Sequence, residues 1–130
     1  ASYTYPLDGD VGEVLVFDRA LSSSERRTVE EYLARHWGQT IAPGAPTLGS
    51  VTKPTSGSLL ATWTNSWNGG ATATYTATAT SGGTTRTCTS VGGTSCTVTG
   101  LTAGVTYTVT VSGANTAGTG PTSNSLTGTA

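Results

Sequence analysis

Beyond residue 40 this sequence holds no Asp, Glu or His, and methionine is absent from all 130 residues. Only two basic side chains, Lys53 and Arg86, lie between Ile41 and Ala130. That stretch offers no side-chain general base of the usual kinds, and no carboxylate or imidazole to hold a metal. Conventional catalysis is thereby excluded for most of the chain, and no cofactor is expected. Charge is scarce throughout, at 10% of residues against roughly a quarter in an average globular protein. A net charge of −1 gives nucleic acid or an anionic membrane nothing to hold. No apolar run is long enough to span a membrane, and no stretch reads as a signal peptide, so export would rely on a signal outside this sequence.

What is abundant is Thr, Gly and Ser. Disordered chains share that polarity but combine it with high net charge and few β-branched or aromatic residues. Here Val and Tyr recur at regular spacing with little charge, which predicts a folded chain. The two cysteines are Cys88 and Cys96, and no His or third Cys lies nearby to complete a metal site. With a turn centred near Gly92, the pair faces each other across two antiparallel strands. A disulfide there is expected to contribute roughly 2–3 kcal/mol and points to an oxidising compartment; two free buried thiols are the alternative.

Composition divides the chain. All seven acidic residues and four of the six basic ones precede residue 41. Residues 41–45 read as a Pro/Gly linker between an N-terminal unit, 1–40, and a second domain, 46–130. In the first unit, Val11 to Phe17 is a short apolar run of strand length. Ser22 to Glu25 fits a capping box, and Val29, Leu33 and Trp37 lie on one apolar face of a helix over 23–37. Glu31 and Arg35 are spaced as an i,i+4 pair, Asp18 and Arg19 as a pair before the helix, and Gly38 sits where a C-cap glycine belongs. The second half alternates Thr with apolar residues: Thr72 to Thr80 around Ala73, Tyr75, Ala77 and Ala79, then Thr106 to Thr110 around Tyr107, Val109 and Val111. Period two with one apolar face predicts strands covered on one side. Glycine-rich turns separate seven expected strands, at 46–53, 58–64, 71–80, 84–90, 94–99, 105–114 and 122–129.

From Pro46 to Ala130 the sequence resembles a fibronectin type III domain. The resemblance rests on Leu60-x-x-Trp63, Tyr75, the run Thr99 to Val111, Asn115 and Gly118. It implies a mainly β, seven-stranded immunoglobulin-like sandwich with a core of Trp63, Tyr75, Leu101, Tyr107, Val109 and Val111. It also implies that Leu101 plugs the core beneath a loop and that Tyr107 makes the tyrosine corner. The Thr-rich style and the paired cysteines look most like bacterial versions from secreted enzymes and surface proteins. Residues 9–38 are similar to the closing strand, Asp-Arg-Ala-Leu-Ser turn and helix of concanavalin-A-like, laminin-G-like domains. Most of such a domain is missing, so no sugar or Ca²⁺ ligand is carried over.

Candidate sites are few. Asp8-Gly9-Asp10, near Glu13 and Asp18, has Ca²⁺-ligand chemistry but reads as a turn before a strand. The only histidine, His36, reads as packing or capping beside Trp37. Trp67, in a loop beside Asn68 and two glycines, is the candidate ligand contact, either for stacking on a sugar or for folding over the sandwich end. If strands 71–80, 84–90 and 105–114 share a sheet, their threonines form an array, which reads first as solvent-facing polar cover. The apolar surfaces of Val14, Leu15, Val16, Phe17, Val29, Leu33 and Trp37 need cover that one strand and one helix cannot supply, so it is expected from a larger parent protein, from the chain's own sandwich or from a second chain. The expected function is a non-catalytic extracellular spacer or adhesion module of a bacterial secreted or surface protein. The expected partners are itself or neighbouring domains. The alternatives are a filament subunit that donates strand 11–17, and a polysaccharide-binding accessory module.

Overall fold

The structure, a computed structural model, describes residues 11–130. The Asp8-Gly9-Asp10 motif lies outside the described residues. A helix, α1 (Ser23–Trp37), precedes eight strands: β1 (Thr47–Thr52), β2 (Leu59–Thr64), β3 (Thr74–Ser81), β4 (Thr84–Val91), β5 (Ser95–Val98), β6 (Thr106–Asn115), β7 (Gly118–Thr119) and β8 (Leu126–Thr129). They form two antiparallel sheets. One runs β1-β2-β5; the other runs β4-β3-β6-β7, with β8 also paired to β6.

The alternating sequence decides which faces meet. On β3, Tyr75, Ala77 and Ala79 point inward while the threonines between them face out; on β6, Tyr107, Val109 and Val111 do the same. Leu48, Leu59, Ala61, Trp63, Val98 and Leu101 fill the space opposite. Large aromatics therefore interleave with alanines, and all six expected core residues are buried. The Tyr107 hydroxyl accepts the Thr102 N–H at 3.0 Å, which draws its pKa below the ordinary phenol value and locks the loop around Leu101. β3 and β4 turn through Gly82-Gly83, both with positive φ, the pattern a tight two-residue hairpin requires.

Three expectations about strands are corrected. Residues 11–17 are not a strand: no sheet edge pairs with them, and without ladder hydrogen bonds an apolar run stays irregular. The last expected strand shrinks to Leu126–Thr129, after the two-residue β7. Pro121 has no N–H to give a ladder, and side chains stitch the intervening segment instead. The Ser123 hydroxyl accepts the Val111 N–H at 2.9 Å, while Asn124 accepts from Leu48 N at 2.9 Å and donates to Leu48 O at 3.0 Å. Finally, β4 and β5 are not a hairpin within one sheet. Cys88 lies opposite Ala77 and Cys96 opposite Ala61, so each faces the interior from a different sheet. Their disulfide, with Cα atoms 6.0 Å apart, joins the edges of the two sheets.

Candidate functional site

The chemically distinctive region is the end of the sandwich where α1 meets it. The helix starts as the capping box predicts: Ser22 accepts the Glu25 N–H, and the Glu25 carboxylate accepts the Ser22 N–H at 2.9 Å. Arg19 also grips that carboxylate, at 2.5 Å and 3.0 Å. Arg19, then the Ser22 backbone and side-chain bonds, bring the Glu25 pKa down to about 2. Asp18 therefore does not hold Arg19. Nor does Glu31 pair forward with Arg35; it pairs back with Arg27 at 3.0 Å, while Arg35 stacks over the Trp67 ring, 4.5 Å from its centroid. Arg27 also donates to the Ala42 carbonyl, which orients it away from the exposed helix face.

These contacts fasten the segment between helix and sandwich. The Ile41 N–H donates to Gly69 O at 2.9 Å, and the Gly44 N–H donates to Trp67 O at 3.0 Å. Asn115 Nδ2 donates to both Ile41 O at 2.7 Å and Asn68 O at 2.9 Å. Pro43 is fully buried. Gly69 makes this approach practicable: its φ is +78°, and a Cβ there would stand 1.8 Å from the Ile41 oxygen. A Pro/Gly segment that reads as a flexible linker is thus tied into the loop joining β2 and β3.

Beside this seam, residues 65–68, 72, 73 and 75 together with Gly92 line an open cleft of about 500 Å³. Trp67 contributes one wall; Arg35 lies over its ring and outside the cleft. Asn65 is committed to structure: its oxygen accepts Trp63 Nε1 at 2.8 Å, and its amide donates to Gly92 O and Gly93 O at 3.4 and 3.3 Å. Tyr75, 6.1 Å from Trp63 between ring centroids, is only 1% exposed, and burial raises its pKa.

The other singled-out residues lie apart from the cleft. His36 stacks on Tyr32 at 5.8 Å and meets Trp37 edge-on at 5.0 Å, on the exposed side of the helix. Gly12 packs against the Trp37 ring, and the Tyr32 hydroxyl donates to Glu13 at 3.4 Å. Val29 and Leu33 are half-buried, whereas Val14, Val16, Phe17 and Trp37 are exposed. Leu15 is exposed as well, so this apolar set stays largely open. Lys53 donates to the Ala130 carbonyl at 3.1 Å. β4, β3 and β6 do share a sheet, and Thr87, Thr78 and Thr110 stand in a row across its outer face, followed by Thr85, Thr80 and Thr108. Among the described residues no cluster of His, Cys, Asp and Glu could hold a metal ion, and no helix is long and apolar enough to cross a membrane. Tyr75 occupies an ordinary inward strand position, so its spacing marks it only as core.

Among curated proteins none matches this chain. Solved structures do. The chicken CNTN1 FN1–FN3 domains align over 70% of this chain at 20% identity, with a TM-score of 0.60. Domains A168–A170 from titin align over 68% at 22% identity, with a TM-score of 0.57. At such identities the likeness is one of fold. The chain spans about a third of each of those two structures, covering 32% of each. The structure described as a myokine is covered over 97% of its length, at 18% identity and a TM-score of 0.52. The fibronectin type III domain model matches residues 44–129. With that match, the two-sheet sandwich and the Tyr107 corner, the chain belongs to the fibronectin type III family.

Proposed function

We propose that the chain is a non-catalytic structural and adhesion spacer of a bacterial extracellular protein, and that it holds what precedes it at a fixed angle. Fibronectin type III domains are structural modules in multidomain proteins, and the Cys88–Cys96 disulfide is consistent with an oxidising, extracellular setting. The observation that carries the reading is the seam: Ile41, Pro43 and Gly44 are bonded or buried against the loop carrying Trp67 and Gly69. A spacer with such a joint transmits orientation, where a free Pro/Gly linker would only set a distance. Backbone ¹⁵N relaxation tests it. Residues 23–44 should tumble with β3, and Gly69→Ala, which forces a side chain into the Ile41 carbonyl, should release them while the sandwich stays folded. Independent motion of the helix in the unaltered chain would refute the fixed joint.

A second reading is supported by exposure. Val14 is 72% and Val16 86% exposed on a backbone with no sheet partner, the condition under which an extended segment adds to another copy's sheet. Sedimentation velocity decides it. Concentration-dependent assembly that Val14→Thr with Val16→Thr abolishes supports strand donation; a monomer at all concentrations removes it.

A further inference from the structure

We propose that the cleft bounded by Trp67, Asn68, Thr72 and the Tyr75 hydroxyl binds a neutral saccharide. This goes beyond the spacer reading and stands independently of it. The first observation is an unspent buried group. Tyr75 is 1% exposed and its hydroxyl has no protein partner among the described residues, yet no fully buried side-chain polar atom is left unbonded. The hydroxyl therefore keeps a small solvent exposure, and Tyr75 lines the cleft. The Tyr75 ring is packed against Trp63, so its hydroxyl stays at the cleft, where water or a ligand oxygen can bond it.

The second observation is the chemistry of the walls. Among the described residues no charged side chain lines the cleft, and the cation beside it, Arg35, is stacked on the Trp67 ring, so the lining itself is neutral. An all-apolar ligand would strand the Tyr75 hydroxyl. What remains is an aromatic ring, one amide and the hydroxyls of Tyr75 and Thr72. Asn68 gives its oxygen to the Gly70 N–H at 3.1 Å and leaves its Nδ2 without a partner among the described residues. Thr72 adds a hydroxyl-bearing side chain to the lining, while the Ser66 hydroxyl packs toward Gly44 of the seam. A pyranose matches this set: its C–H face lies on an indole, and its hydroxyl edge takes an amide N–H, a phenol O–H and an alcohol. The volume of about 500 Å³ falls within the size of ligand sites, roughly 300–1,000 Å³.

The test is a ¹H–¹⁵N titration of the whole chain with cellohexaose, chitohexaose and mannohexaose to millimolar concentration. At least one should shift the amides of Trp67, Asn68, Thr72 and Tyr75 together with the Trp67 indole. Tyr75→Phe keeps the ring and its packing and removes only the hydroxyl; it should weaken that binding about tenfold, the worth of one hydrogen bond. Asn68→Ala, at an exposed loop position, should weaken it by a similar factor while the sandwich resonances outside this loop stay in place. No shift with any of the three would mean that the cleft holds water only, and would overturn the proposal. So would shifts that survive both substitutions, or an uncharged tetra-alanine peptide that competes as well as the sugars. None of these outcomes bears on whether the 39–44 seam is rigid.

Discussion

The arm from residue 11 to residue 38 and the sandwich that follows it are held together by different physics. The sandwich seals a contiguous apolar cluster from Leu48 to Ala130 between two sheets. The helix buries only Ala34 and relies on caps, ion pairs and the stack of Arg35 on Trp67. One region is stabilised by burial, which is little affected by salt or pH; the other by polar contacts, which depend on both. The arm is therefore the part whose order conditions can tune, while the sandwich stays as it is.

The largest effect should separate the two regions outright. Leu59→Ala, at a fully buried position, should cost about 2–5 kcal/mol in chemical denaturation, by lost burial plus a cavity. Leu33→Ala, half-buried on the helix, should cost under about 1 kcal/mol. Equal losses would show that the arm shares the sandwich core. Next in size, replacing both Cys88 and Cys96 by Ser should lower sandwich stability by about 2–3 kcal/mol and leave the helical circular-dichroism signal unchanged at temperatures below the melt. Loss of helix in that variant would reveal coupling between clasp and arm.

The smallest effect is acid titration. A carboxylate whose folded pKa is depressed contributes stability that is complete above its unfolded value and fades as pH falls toward the folded one. For Glu25 that window runs from 4.5 down to about 2, so helix content should decline there, less steeply in high salt. The sandwich has no acidic side chain after residue 40, so its near-ultraviolet signal should stay flat over the same range. An acid transition in the sandwich would contradict the separation.

Much of this was legible in the residues. Alternation placed Tyr75, Tyr107, Val109 and Val111 inward, and Ser22, Glu25 and Gly38 bounded the helix to the residue, because those signals are local. What failed were particular pairings that depend on a neighbour distant in sequence. The apolar run 11–17 has strand composition, but a strand also needs an edge. The Gly92-Gly93 turn looked like a hairpin, but it carries the chain from one sheet to the other. Glu31 stands four residues from both Arg27 and Arg35, and spacing alone does not say that Trp67 recruits the second. The seam had one faint signal, a glycine pair beside Trp67 and Asn68. Its partner Asn115 lies 47 residues from Asn68.

The clasp between β4 and β5 has a consequence under load. A disulfide shields from extension only the residues it encloses, and here the two cysteines are 8 residues apart. At about 3.4 Å per extended residue that withholds roughly 27 Å of chain. A pull between β1 and β8 would peel those strands from the β1 and β8 edge of the sandwich and pay out nearly the whole remaining contour. The bridge, on the opposite edge, would never come under tension until the fold was gone. Cys88–Cys96 thus preserves the shape of the resting module without limiting how far a stretched one can lengthen.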